Sequence, residues 1–298
     1  MNNELPNKNL VARSFGNAAA KYDDVAVLQR QTGDELLDRL SLVTLQPKCI
    51  LDLGVGTGRN LNLLAKRYPE AQLLALDIAP AMLQQARQHY QKATGIKRWL
   101  SFAKRPYYLA GDAELLPLAD NSVDLVFANL ALQWCDPRIS FAEIQRILRP
   151  DGLLMFTTLG PDTLRELRQS WAKVDDYPHV NMFYDMHDVG EAMMAAGLAE
   201  PVLDTDRYTL TYDTAMALMK DLKILGARNV NSGRRKGLTG KGTIKHVADA
   251  YEQFRRDDLL PATYEVVYGH AWGGQLKQQK LEGEIRIPIS QIQRRKAV

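Results

Sequence analysis

A short apolar strand that runs directly into a glycine loop is the feature that most constrains this 298-residue chain. Residues 49–53 read C-I-L-D-L, and residues 54–58 read G-V-G-T-G. Glycines at alternate positions let the backbone turn sharply and approach a ligand that a Cβ would keep away. A helix that begins after such a loop presents free N–H groups to that ligand. The stretch therefore predicts a cofactor bound where a strand ends and a helix begins.

The residues around the loop distinguish between cofactor classes. The spacing is G-x-G-x-G and not the G-x-G-x-x-G that is typical of nicotinamide and flavin dinucleotide sites. Asp52 lies two residues before the first glycine, and a carboxylate there repels a pyrophosphate but attracts a cationic amine. The loop therefore disfavours a nicotinamide dehydrogenase. A glycine-rich turn that binds nothing is the other alternative.

Strands and helices alternate along the chain after the loop. The strands are nearly all apolar, which is typical of a parallel sheet covered by helices on both faces. The alternation predicts an α/β fold with a Rossmann-like, doubly wound, mostly parallel sheet. The predicted strands are residues 49–53, 72–77, 107–110, 123–128 and 153–158, and the helices between them are residues 60–68, 80–93 and 140–148.

The two ends of the chain are predicted to surround this core. Residues 204–212 and 262–272 are β-rich and are expected to pair as antiparallel partners at the sheet edge. The segment between them then forms a helical insertion on the cofactor side. The predicted organisation is a helical segment at residues 1–46, a core at 47–212, a basic helical insertion at 213–260, and the last strand with a tail at 261–298.

Composition excludes several classes of protein. With 46% hydrophobic residues and a net charge of +3, the chain is not intrinsically disordered. The longest uncharged run, residues 125–135, falls short of the roughly 20 residues that cross a bilayer. Cys49 and Cys135 make no disulfide framework and fit a reducing, cytoplasmic compartment. The five histidines lack zinc-type spacing, so no metal site is predicted.

Acidic residues stand at the ends of three successive predicted strands. Asp52 belongs to the first, and Asp77 lies 19 residues after Gly58, where a carboxylate can accept both hydroxyl groups of an adenosine ribose. Asp112 follows the third strand and is placed to accept from an adenine amino group. Capping of the next helix is the alternative role for Asp77, and a turn is the alternative for Asp112.

This arrangement resembles the S-adenosylmethionine (SAM) site of Rossmann-like methyltransferases. In that superfamily the end of the fourth strand, here from Asn129, lies beside the transferable methyl group. The N-terminal helices around Tyr22 resemble the lid that closes over the cofactor in the malonyl-[acyl-carrier-protein] O-methyltransferases of this superfamily, and burial of its ring as a helix anchor is the alternative role for Tyr22. The resemblance implies SAM as cofactor. The implied SAM-binding residues are Tyr22, Asp52, Gly54, Gly56, Gly58, Asp77, Ile78, Met82, Asp112, Ala113, Asn129 and Leu130.

Further motifs resemble the malonyl-[acyl-carrier-protein] O-methyltransferase family of biotin synthesis over nearly all of residues 10–275. That resemblance implies methylation of the free carboxylate of a malonyl thioester, which leads to pimeloyl units for biotin. Residues 95–105 and the tail beyond residue 275 depart from the family pattern. The motifs are SFGNAAAKYD at 14–23, GPDTLREL at 160–167, FYDMHDVG at 183–190, LMKDLK at 218–223, GARN at 226–229, GLTG at 237–240 and ATYEVVYGHAW at 262–272.

The implied reaction needs no proton transfer to a titratable side chain of the protein. A carboxylic acid has a pKa of about 4 and is ionised at neutral pH, so no general base is required. Catalysis then consists of in-line positioning in a dry site. An arginine fork fits a carboxylate with two parallel hydrogen bonds. Arg165 and Arg168, in the predicted helix 161–171, are the candidates for that role, and a solvated helix face is the alternative for both.

The basic insertion also has a use in this reaction. Residues 220–245 carry eight Lys or Arg side chains and one Asp. Acyl carrier proteins are acidic, so a basic surface near the site would steer one towards it. Nucleic acid is a disfavoured partner, a plain solvated loop is another alternative, and malonyl-CoA could replace the carrier. The predicted docking residues are Lys220, Lys223, Arg228, Arg234, Arg235 and Lys236.

Two rival functions stay open on the sequence. A SAM-dependent methyltransferase that acts on another small acid or a quinone-type acceptor fits the cofactor motifs but has little use for the basic segment. An RNA-binding protein on the same fold fits the basic segment, but the intact Asp52, Gly54, Gly56 and Asp77 weigh against a SAM site that no longer functions.

Overall fold

A computed structural model describes residues 6–95, 104–230, 237 and 240–274. Within these residues seven strands form one sheet: β1 (Cys49–Leu53), β2 (Gln72–Asp77), β3 (Tyr107–Ala110), β4 (Val123–Asn129), β5 (Leu148–Leu159), β6 (Ala199–Tyr212) and β7 (Leu260–Trp272). Their order across the sheet is β3-β2-β1-β4-β5-β7-β6.

The pairing confirms the predicted Rossmann-like sheet with an antiparallel edge. Neighbours from β3 to β5 are parallel, whereas β7 is antiparallel to both β5 and β6. The two β-rich stretches pair as predicted, with Asp204 opposite Tyr268 and Tyr212 opposite Leu260. The edge strand β6 therefore joins the sheet only through β7.

Apolar side chains on both faces hold the sheet between two layers of helices. Ile50 and Phe127 contribute to one core cluster, and Leu51 and Val126 contribute to the other. All four are fully buried. Burying a side chain of this kind contributes roughly 1.5–3 kcal/mol, so the alternation along β1 and β4 fixes both the strands and the helices that cover them.

The helices cover the two faces and the carboxyl end of the sheet. Several begin at a capping side chain: Asn7 accepts from Leu10 N, and Thr214 accepts from Ala217 N. The helices are α1 (Lys8–Ala18), α2 (Tyr22–Val25), α3 (Val27–Arg39), α4 (Arg59–Arg67), α5 (Pro80–Thr94), α6 (Pro137–Ile147), α7 (Arg165–Ala172), α8 (Met186–Ala195), α9 (Ala215–Ile224) and α10 (Lys241–Tyr251).

The largest differences from the sequence predictions concern the N-terminal segment, β5 and β6. The N-terminal helical segment is divided into α1, α2 and α3, because Lys21 (φ −120°, ψ 3°) and Ala26 (φ −77°, ψ 48°) leave the helical region. Strand β5 begins at Leu148 and β6 at Ala199, earlier than predicted. Each added stretch contains a proline beside charged residues, Arg149, Pro150 and Asp151 in β5 and Glu200 and Pro201 in β6. Proline and charge interrupt the apolar run by which a strand is predicted.

The carboxyl ends of β1, β2 and β4 meet at one edge of the sheet. The strand order reverses between β1 and β4, and ligands of open α/β sheets bind at such a switch point. Helices α1 to α3 lie over this edge. Among the described residues no helix is both long and apolar enough to cross a membrane.

Candidate active site

A cavity opens at the carboxyl edge of the sheet beneath α1 and α2. Ten of the twelve residues predicted to bind SAM line it, and Asp52 and Gly58 do not. The lining residues are Lys8, Val11, Phe15, Tyr22, Leu53, Gly54, Gly56, Leu76, Asp77, Ile78, Met82, Gly111, Asp112, Ala113, Asn129, Leu130, Ala131, Trp134 and Cys135. We call this the first cavity.

Gly56 and Gly58 of the loop are required for different structural reasons. Gly56 lines the first cavity with φ +52°, and a Cβ built on it would meet no atom within 4 Å. Gly58 begins α4 with φ +85°, and a Cβ there would lie 2.8 Å from the backbone of Ala86 in α5. Gly56 therefore leaves open space for a ligand, whereas Gly58 allows two helices to pack closely.

Asp77 joins the glycine loop to the end of β2. Its Oδ2 accepts from Gly56 N at 2.9 Å and its Oδ1 accepts from Ala79 N at 2.8 Å. Burial raises the pKa of this carboxyl to about 6, although the backbone N–H groups oppose the rise. Each carboxylate oxygen has a second lone pair, so Asp77 can still accept from the two hydroxyls of a ribose.

Asp52 lies behind the loop and not in the cavity wall. It is buried, and its Oδ2 has no hydrogen-bond partner among the described residues. Burial, followed by the nearby charge of Asp77, raises the pKa of Asp52 to about 8. Because a nearby cation stabilises the ionised form of a carboxyl, these two buried acids favour a cationic group at the cradle, which fits the sulfonium and ammonium groups of SAM.

Asp112 is held at the end of β3 by a lysine from α1. Lys8 Nζ contacts Asp112 Oδ1 at 3.0 Å, Glu114 Oε1 at 2.8 Å and Cys135 Sγ at 3.3 Å. One oxygen of Asp112, one oxygen of Glu114 and the sulfur of Cys135 lie within 4.8 Å of one another. The Lys8 ammonium offsets the negative charge of this cluster. Sequence reasoning missed Lys8, because no local pattern links it to residues more than 100 positions away.

Asn129 fixes the end of β4 beneath α3. Its Oδ1 accepts from Thr32 Oγ1 at 2.9 Å and from Thr157 Oγ1 at 2.8 Å. Its Nδ2 donates to the backbone oxygen of Gln29 at 2.9 Å. The protein thus uses both lone pairs of the amide oxygen and one N–H of the amide nitrogen. Asn129 also lines the first cavity, where its second Nδ2–H is left as a donor.

A second cavity adjoins the first. The two share Phe15, Tyr22, Leu130 and Trp134, and the Phe15 and Trp134 rings meet edge to face with centroids 5.4 Å apart. The second cavity is also lined by Val25, Leu28, Gln29, Gln133, Leu159, Thr163, Leu164, Leu167, His179, Val180, Asn181, Phe183, Leu210, Tyr212, Leu222, Leu225, Ala227, Asn229 and Tyr264.

Uncharged polar side chains interrupt the mostly apolar lining of the second cavity. The Oε1 atoms of Gln29 and Gln133 are buried and have no partner among the described residues. His179 stacks on Trp171 with ring centroids 3.5 Å apart, and its Nε2 lies 2.7 Å from Asp175 Oδ1. No Lys or Arg occurs among the described residues that line this cavity. The sequence analysis singled out neither Gln29 nor His179.

Arg165 and Arg168 lie outside both cavities. The Arg165 side chain is 45% exposed, with its Nε 3.3 Å from Glu166 Oε1. Arg168 donates to the backbone oxygens of Pro161 at 2.8 Å and Thr163 at 3.0 Å, and burial lowers its pKa. The structure therefore uses Arg168 to hold the segment before α7 and gives neither guanidinium direct access to a ligand in the second cavity.

Half of the predicted docking residues can be placed. Lys220 and Lys223 on α9 and Arg228 after it are exposed. Arg234, Arg235 and Lys236 lie outside the described residues, as do most of the basic stretch 95–105 and the tail beyond residue 274. Leu222 and Ala227, from the same part of the chain, line the second cavity, so the exposed basic residues flank its wall.

Known proteins resemble the chain in sequence and in fold. A methyltransferase-domain family model matches residues 51–156. The malonyl-[acyl-carrier protein] O-methyltransferase of Laribacter hongkongensis is 50% identical over 89% of this chain and 89% of its own length. The protein of the same name from Methylovorus sp. is 47% identical over 92% of this chain and 91% of its own length. The solved structure of a Bacillus halodurans protein described as a methyltransferase matches with a TM-score of 0.58 and 17% identity, over 81% of this chain and all of that one.

Proposed function

The chain belongs to the malonyl-[acyl-carrier protein] O-methyltransferase family, and we propose that it transfers a methyl group from SAM to the free carboxylate of malonyl-acyl carrier protein. The observation that carries the proposal is the pair of adjoining cavities, whose shared wall is Phe15, Tyr22, Leu130 and Trp134. The first has the groups that hold SAM, and the second is a mostly apolar chamber for an acyl group.

The residues of the first cavity fit SAM. Asp77 offers acceptors for the ribose hydroxyls, Asp112 offers one for the adenine amino group, and the open cradle at Gly56 admits the methionine part. The buried carboxyl of Asp52 lies behind this cradle and favours positive charge. When bound, SAM supplies a sulfonium-activated methyl group.

The chain contributes position and a dry environment to the transfer. The malonyl carboxylate is already ionised, so its oxygen attacks the methyl carbon without losing a proton to the protein. A cation and an anion neutralise each other in this step, and apolar surroundings favour that loss of charge over the separated ions. Phe15, Leu130 and Trp134, which line both cavities together with Tyr22, provide those surroundings.

His179 is the best-placed group to hold the malonyl carboxylate. Its Nε2 lies 2.7 Å from Asp175 Oδ1 and the residue lines the second cavity, so Nδ1 is the ring nitrogen left for a ligand. Gln29 and Gln133 can add neutral amide donors beside it, since an amide can present either its oxygen or its nitrogen. Arg165 and Arg168 remain candidates only if α7 rearranges when the acceptor binds.

A carrier-bound acceptor also implies roles for the N-terminal helices and for the exposed basic residues. Helices α1 and α2 act as the lid, which opens for SAM and closes over it. The exposed cations Lys220, Lys223 and Arg228 receive the acidic carrier beside the second cavity. The methyl ester then enters biotin synthesis in the cytoplasm.

Mass spectrometry of the acyl product tests the proposal. Purified protein is incubated with SAM and malonyl-carrier protein, with malonyl-CoA in a parallel sample. A gain of one methyl group on the malonyl moiety is the expected result. SAM binding by calorimetry without methyl transfer to either thioester would retain the cofactor and refute the acceptor.

A further inference from the structure

The segment after α9 packs directly on the lid helix α1. Gly226 has φ +74°, and a Cβ built on it would lie 2.9 Å from the backbone oxygen of Ser14. Val11 of α1 and Val230 share a buried cluster with Trp134. This contact brings the residues around Arg228 next to the exposed side of α1.

The position of Arg228 is fixed from behind. Asn181 Nδ2 donates to the backbone oxygen of Arg228 at 3.2 Å, and Asn181 Oδ1 accepts from Val230 N at 3.1 Å. Asn181 is itself buried. The backbone that carries the Arg228 guanidinium is therefore held in place before any partner arrives.

A shallow basic pocket forms where α1 meets this segment. It is lined by Leu10, Arg13, Ser14, Asn17, Arg228, Asn229 and Val230. Neither Arg13 nor Arg228 forms an ion pair with a carboxylate of the described residues. The Ser14 Oγ is buried without a partner in the same part of the chain. The pocket thus combines two uncompensated guanidinium groups with an unused hydroxyl.

We propose that this pocket binds the phosphate group of the phosphopantetheine arm that carries the malonyl thioester, an inference that rests on the proposed function. Guanidinium forks bind phosphate oxygens with paired hydrogen bonds. The neighbouring residues Phe15 and Ala227 line the second cavity on the inner side of the same wall. A phosphate held outside the wall and a thioester inside it are the two ends of one arm.

The proposal gives a substrate-binding role to Arg13, which lies outside the basic segment predicted to dock the carrier. It also separates two kinds of attraction. Lys220 and Lys223 on α9 can act on the acidic surface of the carrier, whereas Arg13 and Arg228 act on the phosphate that every phosphopantetheine substrate has. The second interaction should therefore be visible on small thioesters without a carrier protein.

The test compares malonyl-phosphopantetheine with malonyl-pantetheine, which lacks the phosphate. We expect wild-type kcat/KM to be about tenfold higher for the phosphorylated substrate, because two charge-assisted contacts are available. The double variant Arg13→Gln/Arg228→Gln should bring that ratio close to one. The matched control is Arg87→Gln/Arg105→Gln, which removes two exposed arginines at the β3 edge and should keep the wild-type ratio.

The outcomes separate the inference from the proposed function. If wild-type protein methylates both thioesters with the same kcat/KM, or if Arg13→Gln/Arg228→Gln keeps the wild-type ratio, the phosphate site is refuted while the methyltransferase function stands. If no malonyl thioester is methylated although SAM binds, the proposed function fails first. SAM affinity and thermal melting, measured on the same preparations, show that the variants are folded.

Discussion

The backbone N–H of Gly56 donates a 2.9 Å hydrogen bond to Oδ2 of Asp77, so the loop after β1 and the acid that ends β2 form one unit. We expect Asp77→Asn to weaken SAM binding by about tenfold to a hundredfold, because it removes a charged acceptor for the ribose and loosens the loop. Isothermal titration calorimetry measures the loss. Glu70→Gln, an exposed acid before β2, is the control and should bind SAM as wild type does.

The same carboxyl gives SAM binding a pH dependence. Burial raises the pKa of Asp77 to about 6, and the protonated acid is a poorer partner for a ribose and for a cation. SAM affinity should fall as the pH drops through about 6 in wild type and should change less in Asp77→Asn. A wild-type affinity that stays constant between pH 5 and pH 8 would contradict this assignment.

Ionisation of the buried acids Asp52 and Asp77 should lower the free energy of unfolding of the ligand-free protein. The pKa values of Asp52 and Asp77 are raised to about 8 and about 6, so the folded protein keeps protons that the unfolded chain has released. The free energy of unfolding therefore falls as the pH rises from about 4 to about 8. Asp52→Asn should raise the melting temperature at pH 8 by a few degrees, at roughly 2–4 °C per kcal/mol, and should weaken SAM binding.

Scanning calorimetry without SAM at pH 5 and pH 8 measures this effect. The gain from Asp52→Asn should shrink at pH 5, where Asp52 is protonated in the folded wild type. The exposed Glu191 on α8 provides the control Glu191→Gln, which should give no pH-dependent gain. Equal melting temperatures for Asp52→Asn and wild type at pH 8 would show that Asp52 carries no ionisation penalty.

Lys8 should hold the lid helix α1 against the adenine end of the first cavity. It is the group from α1 that contacts Asp112 and Glu114. Lys8→Gln removes both ion pairs, so we expect the dissociation rate of SAM to rise about three- to tenfold. Stopped-flow displacement of SAM measures it. Lys21→Gln, which removes an exposed lysine between α1 and α2, should have no such effect.

The sequence was most informative where a side chain follows a strand. Asp77 and Asp112 line the first cavity, and their place there could be predicted because parallel strands end at one edge of the sheet, so the residues that follow them become neighbours in space. Lys8 and His179 could not be assigned, since they reach the two cavities from helices and loops whose placement depends on tertiary packing. Asp52 shows a further limit, because its position in the motif did not reveal that it lies behind the loop.

The bounds of the edge strands show the same dependence. Burial on both faces makes β1 and β4 continuous apolar runs, which are visible in the sequence. Strand β6 pairs on one side only and exposes many of its side chains, and Glu200 and Pro201 interrupt the apolar pattern of its first residues. Arg168 was a predicted candidate to hold the malonyl carboxylate, with a solvated helix face as the alternative, whereas the structure turns it back onto the carbonyls that precede α7.

Substitutions of His179 and Arg165 distinguish which of the two residues holds the malonyl carboxylate. If the imidazole holds the malonyl carboxylate, His179→Gln should raise KM for malonyl-carrier protein about tenfold and leave SAM affinity intact, because glutamine retains a donor for Asp175 but not the second ring nitrogen. Steady-state kinetics at saturating SAM measures the change. Arg165→Gln is the matched comparison, and a larger loss there than in His179→Gln would return the role to α7.

Charge on α9 should control the encounter with the acidic carrier. Lys220 and Lys223 are exposed near the second cavity, and rim charges act mainly on association rates and salt dependence. Lys220→Glu/Lys223→Glu should raise KM for malonyl-carrier protein about tenfold at low salt, with a smaller effect at 0.5 M salt because screening shortens the range of the attraction. SAM affinity should be retained. The control Lys66→Glu/Lys92→Glu reverses two exposed lysines on α4 and α5, and an equal rise in KM there would mean that total charge matters and not the α9 surface.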